Sequence, residues 1–276
     1  MPLGSFFFST LSRIPKSVNL NTFLTMEERT MRSSNPTLQD NTFRSERYYS
    51  IDEQMTVSGV VNKTGILLSC VLLTAGWTWI KFYQTGDVQV VYPWMMLGAI
   101  GGLVLALVTA FKKEWAPVTS VGYALLEGLF IGGISSIFEK QFPGIVIQAT
   151  ALTFGTLFSM LAAYRSGFIQ ATDNFKLGIV AATGGIALVY VATMLLSMFG
   201  INVPYIYGSG PFGILFSLFV VVIAALNFIL DFDFIEKGAR QGAPKYMEWY
   251  GAFALMVTLI WLYVEFLRLL SKLRDR

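Results

Sequence analysis

PFGILFSLFVVVIAALNFILDFDF, residues 211–234, runs for twenty residues without a charge and then meets two aspartates, Asp231 and Asp233. A bilayer core is crossed by about 20 apolar residues of helix, so this stretch reads as a membrane span ending in acid. Six further stretches of similar character surround it: Thr64 to Phe82, Tyr92 to Phe111, Ala116 to Phe138, Gly144 to Tyr164, Leu177 to Gly200, and Trp249 to Leu270. All seven read as helices by length, and the connections between them are short. The expected fold class is therefore an all-α membrane protein, a seven-transmembrane-helix bundle, with a transmembrane domain over 61–276 and no room for a soluble catalytic domain.

Composition excludes most other classes. Hydrophobic residues make up 54% and charged residues 13% of the chain, and the 25 glycines lie largely within apolar stretches, where helices packed in lipid use them. A net charge of +3 implies no nucleic-acid partner. With no histidine and a single cysteine, Cys70, the chain builds neither a disulfide, nor a zinc site of nitrogen and sulfur ligands, nor a histidine triad. Cys70 reads as a packing residue. No enzyme and no resident cofactor are expected. Any ion bound should be a hard, oxygen-preferring cation, and any proton sensing should fall to carboxylates.

Residues 1–60 are polar and carry no periodic apolar face, so they read as a disordered N-terminal tail. The first 26 residues hold no acid but contain Arg13, Lys16 and the cluster Phe6, Phe7, Phe8. A dispensable extension, with the natural start at Met31, and an organellar targeting peptide both remain open. Fourteen Lys and Arg fall on the side of the tail, against Lys81 and Lys140 on the other, which orients the N-terminus toward the cytoplasm. Arg268, Lys272, Arg274 and Arg276 break this pattern if all seven segments span. The bacterial plasma membrane is the expected location, with an organellar membrane as the alternative.

Acids inside spans are costly, so each is a functional candidate. Glu127 stands at the middle of the third span beside Gly128, Gly132 and Gly133, and serves either packing or the wall of a proton or cation path. Asp231 and Asp233 are about 200° apart on a helix, so only one faces inward. Asp231 is the deeper; Asp233 and Glu236 are more easily solvated near the end of the span. In the seventh span Glu265 follows a long apolar run and has Arg268 three residues on, where the two could form an intrahelical pair.

These residues carry a resemblance. Asp231 near the end of the sixth span and Leu262-Tyr263-Val264-Glu265-Phe266-Leu267 in the seventh resemble the Bax inhibitor motif family, whose sixth helix typically reads Asp-Thr-Gln and whose seventh reads Leu-Tyr-Leu-Asp-Phe. Asp231 matches the first acid and Glu265 the second. Glu127 is similar to an acidic position in the third helix, and Thr150-Ala151-Leu152-Thr153-Phe154 to a Thr-Ala stretch in the fourth. The likeness covers about residues 60–272. Phe232 and Asp233 stand where the family has Thr and Gln. The separation of Asp231 and Glu265 is long, so the helices must extend beyond the membrane or pack with an offset for the two acids to meet.

The resemblance implies a bundle with the last helix central, wrapped by the other six, and a pH-sensitive calcium leak gated by Asp231 and Glu265, which would also hold calcium transiently. Physically, two carboxylates close together in a low-dielectric interior share a proton and titrate as a pair, closing a path when bonded and opening it when both ionise. The partners expected are membrane lipids, calcium ions and protons. The competing reading is a non-conducting scaffold or regulator of other membrane proteins, such as a membrane protease or stress factor. A retinal protein is excluded because Trp249 to Ser271 contains no lysine, and an intramembrane aspartyl protease finds neither Tyr-Asp nor Gly-x-Gly-Asp at Asp231.

Overall fold

Seven helices, each long and apolar enough to cross a membrane, make up the described part of the chain. The computed structural model describes residues 53–200, 206 and 208–275. In chain order the helices are α1 (Val57–Thr85), α2 (Val88–Phe111), α3 (Ala116–Gln141), α4 (Ile145–Arg165), α5 (Asp173–Met198), α6 (Pro211–Arg240) and α7 (Met247–Arg274), with a 3₁₀ turn, Lys113–Trp115, leading into α3. No strand occurs among the described residues. Most of the expected spans are extended at their ends by one or two polar turns.

The ends follow local chemistry. Thr56, Asp87 and Thr172 cap α1, α2 and α5, each side chain accepting a backbone N–H of the first turn. Gly86 ends α1 in the left-handed conformation at φ 67°, which a glycine adopts without strain. The start of α4 takes its cap from a neighbour: the Glu139 carboxylate, on α3, accepts the N–H groups of Gly144 and Val146.

The last helix is the core of the bundle. Met256, Leu262 and Leu267 of α7 are fully buried, and α7 packs against α1, α3, α4 and α6. On its outside, α3 is joined by α1 and α2, and α5 leans on α6. The contact of α3 with α1 depends on glycine: a methyl group at Gly128 or Gly132 would run into the α1 backbone at Val71 or Ala75. With lipid outside, van der Waals contact of closely spaced backbones drives such pairing more than hydrophobicity does. Trp77 and Trp94, at the junction of α1 and α2, meet edge to face at 5.0 Å, as expected of indoles near a span end.

The expected boundary of the tail at residue 60 is too late. Met55 is buried, its N–H donates to Ala243 O at 2.7 Å, and the Lys245 N–H donates to Glu53 O at 2.8 Å. The segment from 53 thus docks on the turn between α6 and α7 by backbone pairing, which a search for apolar periodicity does not detect. The rest of the tail, with the cluster Phe6 to Phe8 and Met31, lies outside the described residues.

Candidate functional site

Polar residues recur every seven positions along the central helix: Thr258, Glu265 and Lys272. Seven residues are close to two helical turns, so the three share one face of α7 at a spacing of about 10 Å. That face lies against α6. Thr258 Oγ1 donates to Asp231 Oδ2 at 2.7 Å, and two levels away Lys272 Nζ donates to Ser217 Oγ at 2.8 Å. This antiparallel register puts the small, fully buried Ala224 level with Glu265.

Glu265 is the most constrained of the acids. It is 1% exposed, and its Oε1 accepts from Arg268 at 2.8 Å and from the Tyr190 hydroxyl of α5 at 2.9 Å. Arg268 also donates to the Tyr190 oxygen at 2.6 Å and stands 5.0 Å from the centre of that ring. The other carboxylate oxygen, Oε2, is buried without a hydrogen-bond partner among the described residues. Such an atom in a dry interior retains its full desolvation cost.

Lys272 closes the far end of the stripe. It is 5% exposed and donates to the backbone oxygens of Ile206 and Gly213 as well as to Ser217, so all three of its protons are used. At the opposite end of α7, Glu248 is fully buried. It accepts from Lys63 at 2.6 Å and from the backbone and hydroxyl of Thr56 at 3.0 and 2.9 Å. Gly59 makes room for this carboxylate, because a methyl group there would overlap it.

The sequence-expected residues therefore occupy distinct places. Asp231 and Glu265 lie on the same α6–α7 seam yet bond to different partners, about two helical turns apart. The expected mutual hydrogen bond is absent from this conformation, because the helices pack in the register that matches Asp231 with Thr258. The intrahelical Arg268–Glu265 pair is present. Asp233 forms ion pairs with Lys176 of α5 at 2.6 Å and Lys237 at 2.9 Å, tying α5 to α6. Glu127 lies against α2, where a methyl at Gly102 would come within 2.7 Å of its Oε2, and makes no hydrogen bond or ion pair among the described residues. It is away from the α6–α7 seam.

A family model described as Bax inhibitor 1 like matches residues 35–275 of the chain. The chain belongs to the Bax inhibitor 1 like family. No curated protein and no solved structure gives a match. In this Bax inhibitor 1 like protein the residues that sequence reasoning passed over are Thr258, Tyr190, Lys272 and the Lys63–Glu248 pair. The seven-residue spacing of Thr258, Glu265 and Lys272 was a visible signal for two of them. Nothing local marks Tyr190, whose role arises from the α5–α7 approach. Glu248 and Lys63 lie near the ends of their helices, outside the apolar stretches, and only the docking of α1 on α7 buries the acid.

Proposed function

We propose that this Bax inhibitor 1 like protein is a pH-sensitive calcium leak channel whose path follows the α6–α7 seam, with Asp231 and Glu265 as successive carboxylate stations. The observation that carries the reading is Glu265: a buried acid at the centre of a lipid-embedded bundle, with one oxygen left unbonded. The conformation described is the closed one. Arg268 occupies Glu265, and Thr258 occupies Asp231.

A divalent cation seeks several oxygen ligands, and the seam offers two carboxylates and the hydroxyls of Thr258 and Tyr190. To pass, calcium must displace Arg268 from Glu265, so the arginine acts as a tethered competitor. Protons compete for the same oxygens. A protonated acid neither attracts calcium nor holds Arg268 by charge, so acidification slows the flux. Positioning and electrostatics suffice for this role; no nucleophile, cofactor or catalytic step enters it.

The test is calcium release from liposomes holding the full chain and a calcium dye. The parent should leak at neutral pH and slow on acidification. Glu265→Gln should slow the leak by about tenfold, the factor given by about 1.4 kcal/mol of lost cation affinity, and flatten its pH profile. A parent that moves no calcium at any pH would instead favour the scaffold that holds other membrane proteins.

A further inference from the structure

Both α1 and α4 pack on α7 but leave a cleft between them, and the cleft changes character along its length. At the end bearing the basic loops is a cavity of about 850 Å³ whose wall carries Arg165 and Arg240 together with the acids Asp233 and Glu236, among apolar residues such as Val61 and Leu161. Further along α1 and α4, with α3 and α7 behind them, is a second cavity of about 270 Å³, almost wholly apolar, with Gly76, Ile131, Thr150, Phe154, Met256 and Leu259 among its walls. Val61 and Phe158 at the first cavity are both 63% exposed, so the cleft opens sideways, to the lipid side of the bundle.

We infer that this cleft is a binding site for one anionic phospholipid, its phosphate at Arg165 and an acyl chain laid along α4 toward Gly76. Charge selects the headgroup. Asp233 is neutralised by Lys176 and Lys237, and Glu236 by Arg240, whereas Arg165 has no ion pair or hydrogen bond from its guanidinium among the described residues. The mouth of the cleft therefore holds uncompensated positive charge where headgroups lie, a setting that attracts acidic lipid.

Length selects the rest. From Arg165 to Thr150 is fifteen residues of helix, about 22 Å, which matches one leaflet of a bilayer 40–45 Å thick including headgroups. Glycine at position 76 leaves the tail end open, since a methyl group there would touch nothing within 4 Å.

The full chain in nanodiscs of phosphatidylcholine and phosphatidylglycerol, released into native mass spectrometry, reads both the number and the type of bound lipid. The parent should retain one lipid and favour phosphatidylglycerol by about fivefold, the preference expected from one arginine near the headgroup plane. Arg165→Gln should abolish that preference while leaving total occupancy nearly unchanged. Gly76→Phe should lower occupancy by both lipids without changing thermal stability, because its side chain enters open space. Lys112→Gln, which removes an exposed charge from the loop between α2 and α3, should leave every reading as in the parent. Equal retention of the two lipids by the parent, an effect of Lys112→Gln as large as that of Arg165→Gln, or undiminished occupancy in Gly76→Phe would each overturn the assignment.

Discussion

Asp231 and Glu265 differ in how they are held, and their variants should differ accordingly. Asp231 takes one hydrogen bond, from Thr258, and is partly buried. Asp231→Asn keeps the volume and an oxygen to accept that bond, so the bundle should fold as before while calcium release slows and loses part of its pH dependence. An unchanged pH profile in the liposome assay would remove Asp231 from the path. Thr258→Val deletes the donor and leaves the carboxylate unpaired; a hydrogen bond to a charged group contributes about 1.5 to 3 kcal/mol, a loss that thermal unfolding in detergent would register. Glu248 is a structural counterpart. Lys63→Met removes the closer cation from a fully buried carboxylate that keeps its two Thr56 bonds and has Lys245 at 3.9 Å. The variant should therefore melt lower, losing less than the about 3 to 5 kcal/mol of an uncompensated buried charge, without altering the pH profile of any leak that survives.

At the scale of the helix, hydropathy and length made the spans legible, because lipid demands about 20 apolar residues whatever lies next to them. Helix-to-helix register was not legible. It depends on side-chain fit along the whole α6–α7 seam, and a shift of seven residues preserves an equally apolar face. Sequence reasoning could therefore name Asp231, Glu265 and the intrahelical Arg268 partner, but could not see that Thr258 and Tyr190 on neighbouring helices hold the two acids. The α1–α3 contact is the opposite case, since the glycines near Glu127 announce a close approach. Gly132→Leu must push Ala75 away, and overpacking of this kind costs about 1 to 3 kcal/mol, whereas Gly76→Leu on the lipid side should be neutral. Comparing the melting temperatures of the two variants checks the assignment of faces.

At the scale of the whole molecule, the surplus of positive charge at the C-terminus has a structural account. Arg268 is committed to Glu265, Lys272 to Ile206, Gly213 and Ser217, and Arg274 to Pro143 and Gln148. Charges bound to their own bundle weigh less in setting orientation than free ones do. Because α7 is one unbroken helix, a cysteine placed after Arg276 in a Cys70→Ala background should react with an impermeant maleimide from the side opposite the N-terminus; labelling only after permeabilisation would contradict seven full crossings. The docked segment at the start of the described chain sets a second test. Removing residues 1–50 should leave the melting temperature in detergent unchanged, whereas removing 1–60 should lower it, since Met55 and Thr56 hold the turn before α7 and the Glu248 carboxylate.

The helix at the centre of the bundle is also the last to be made. At about 5 to 20 residues per second, the 28 residues of α7 take a few seconds to leave the ribosome. During that interval α1, α3, α4 and α6 lack the helix they pack on, and Lys63 has no acid to meet. Because α1 and α2 pack on α3, and α4 and α5 on α6, without α7, the late step is the joining of these two groups about the last helix, and a chain that stops before Met247 lacks that joint.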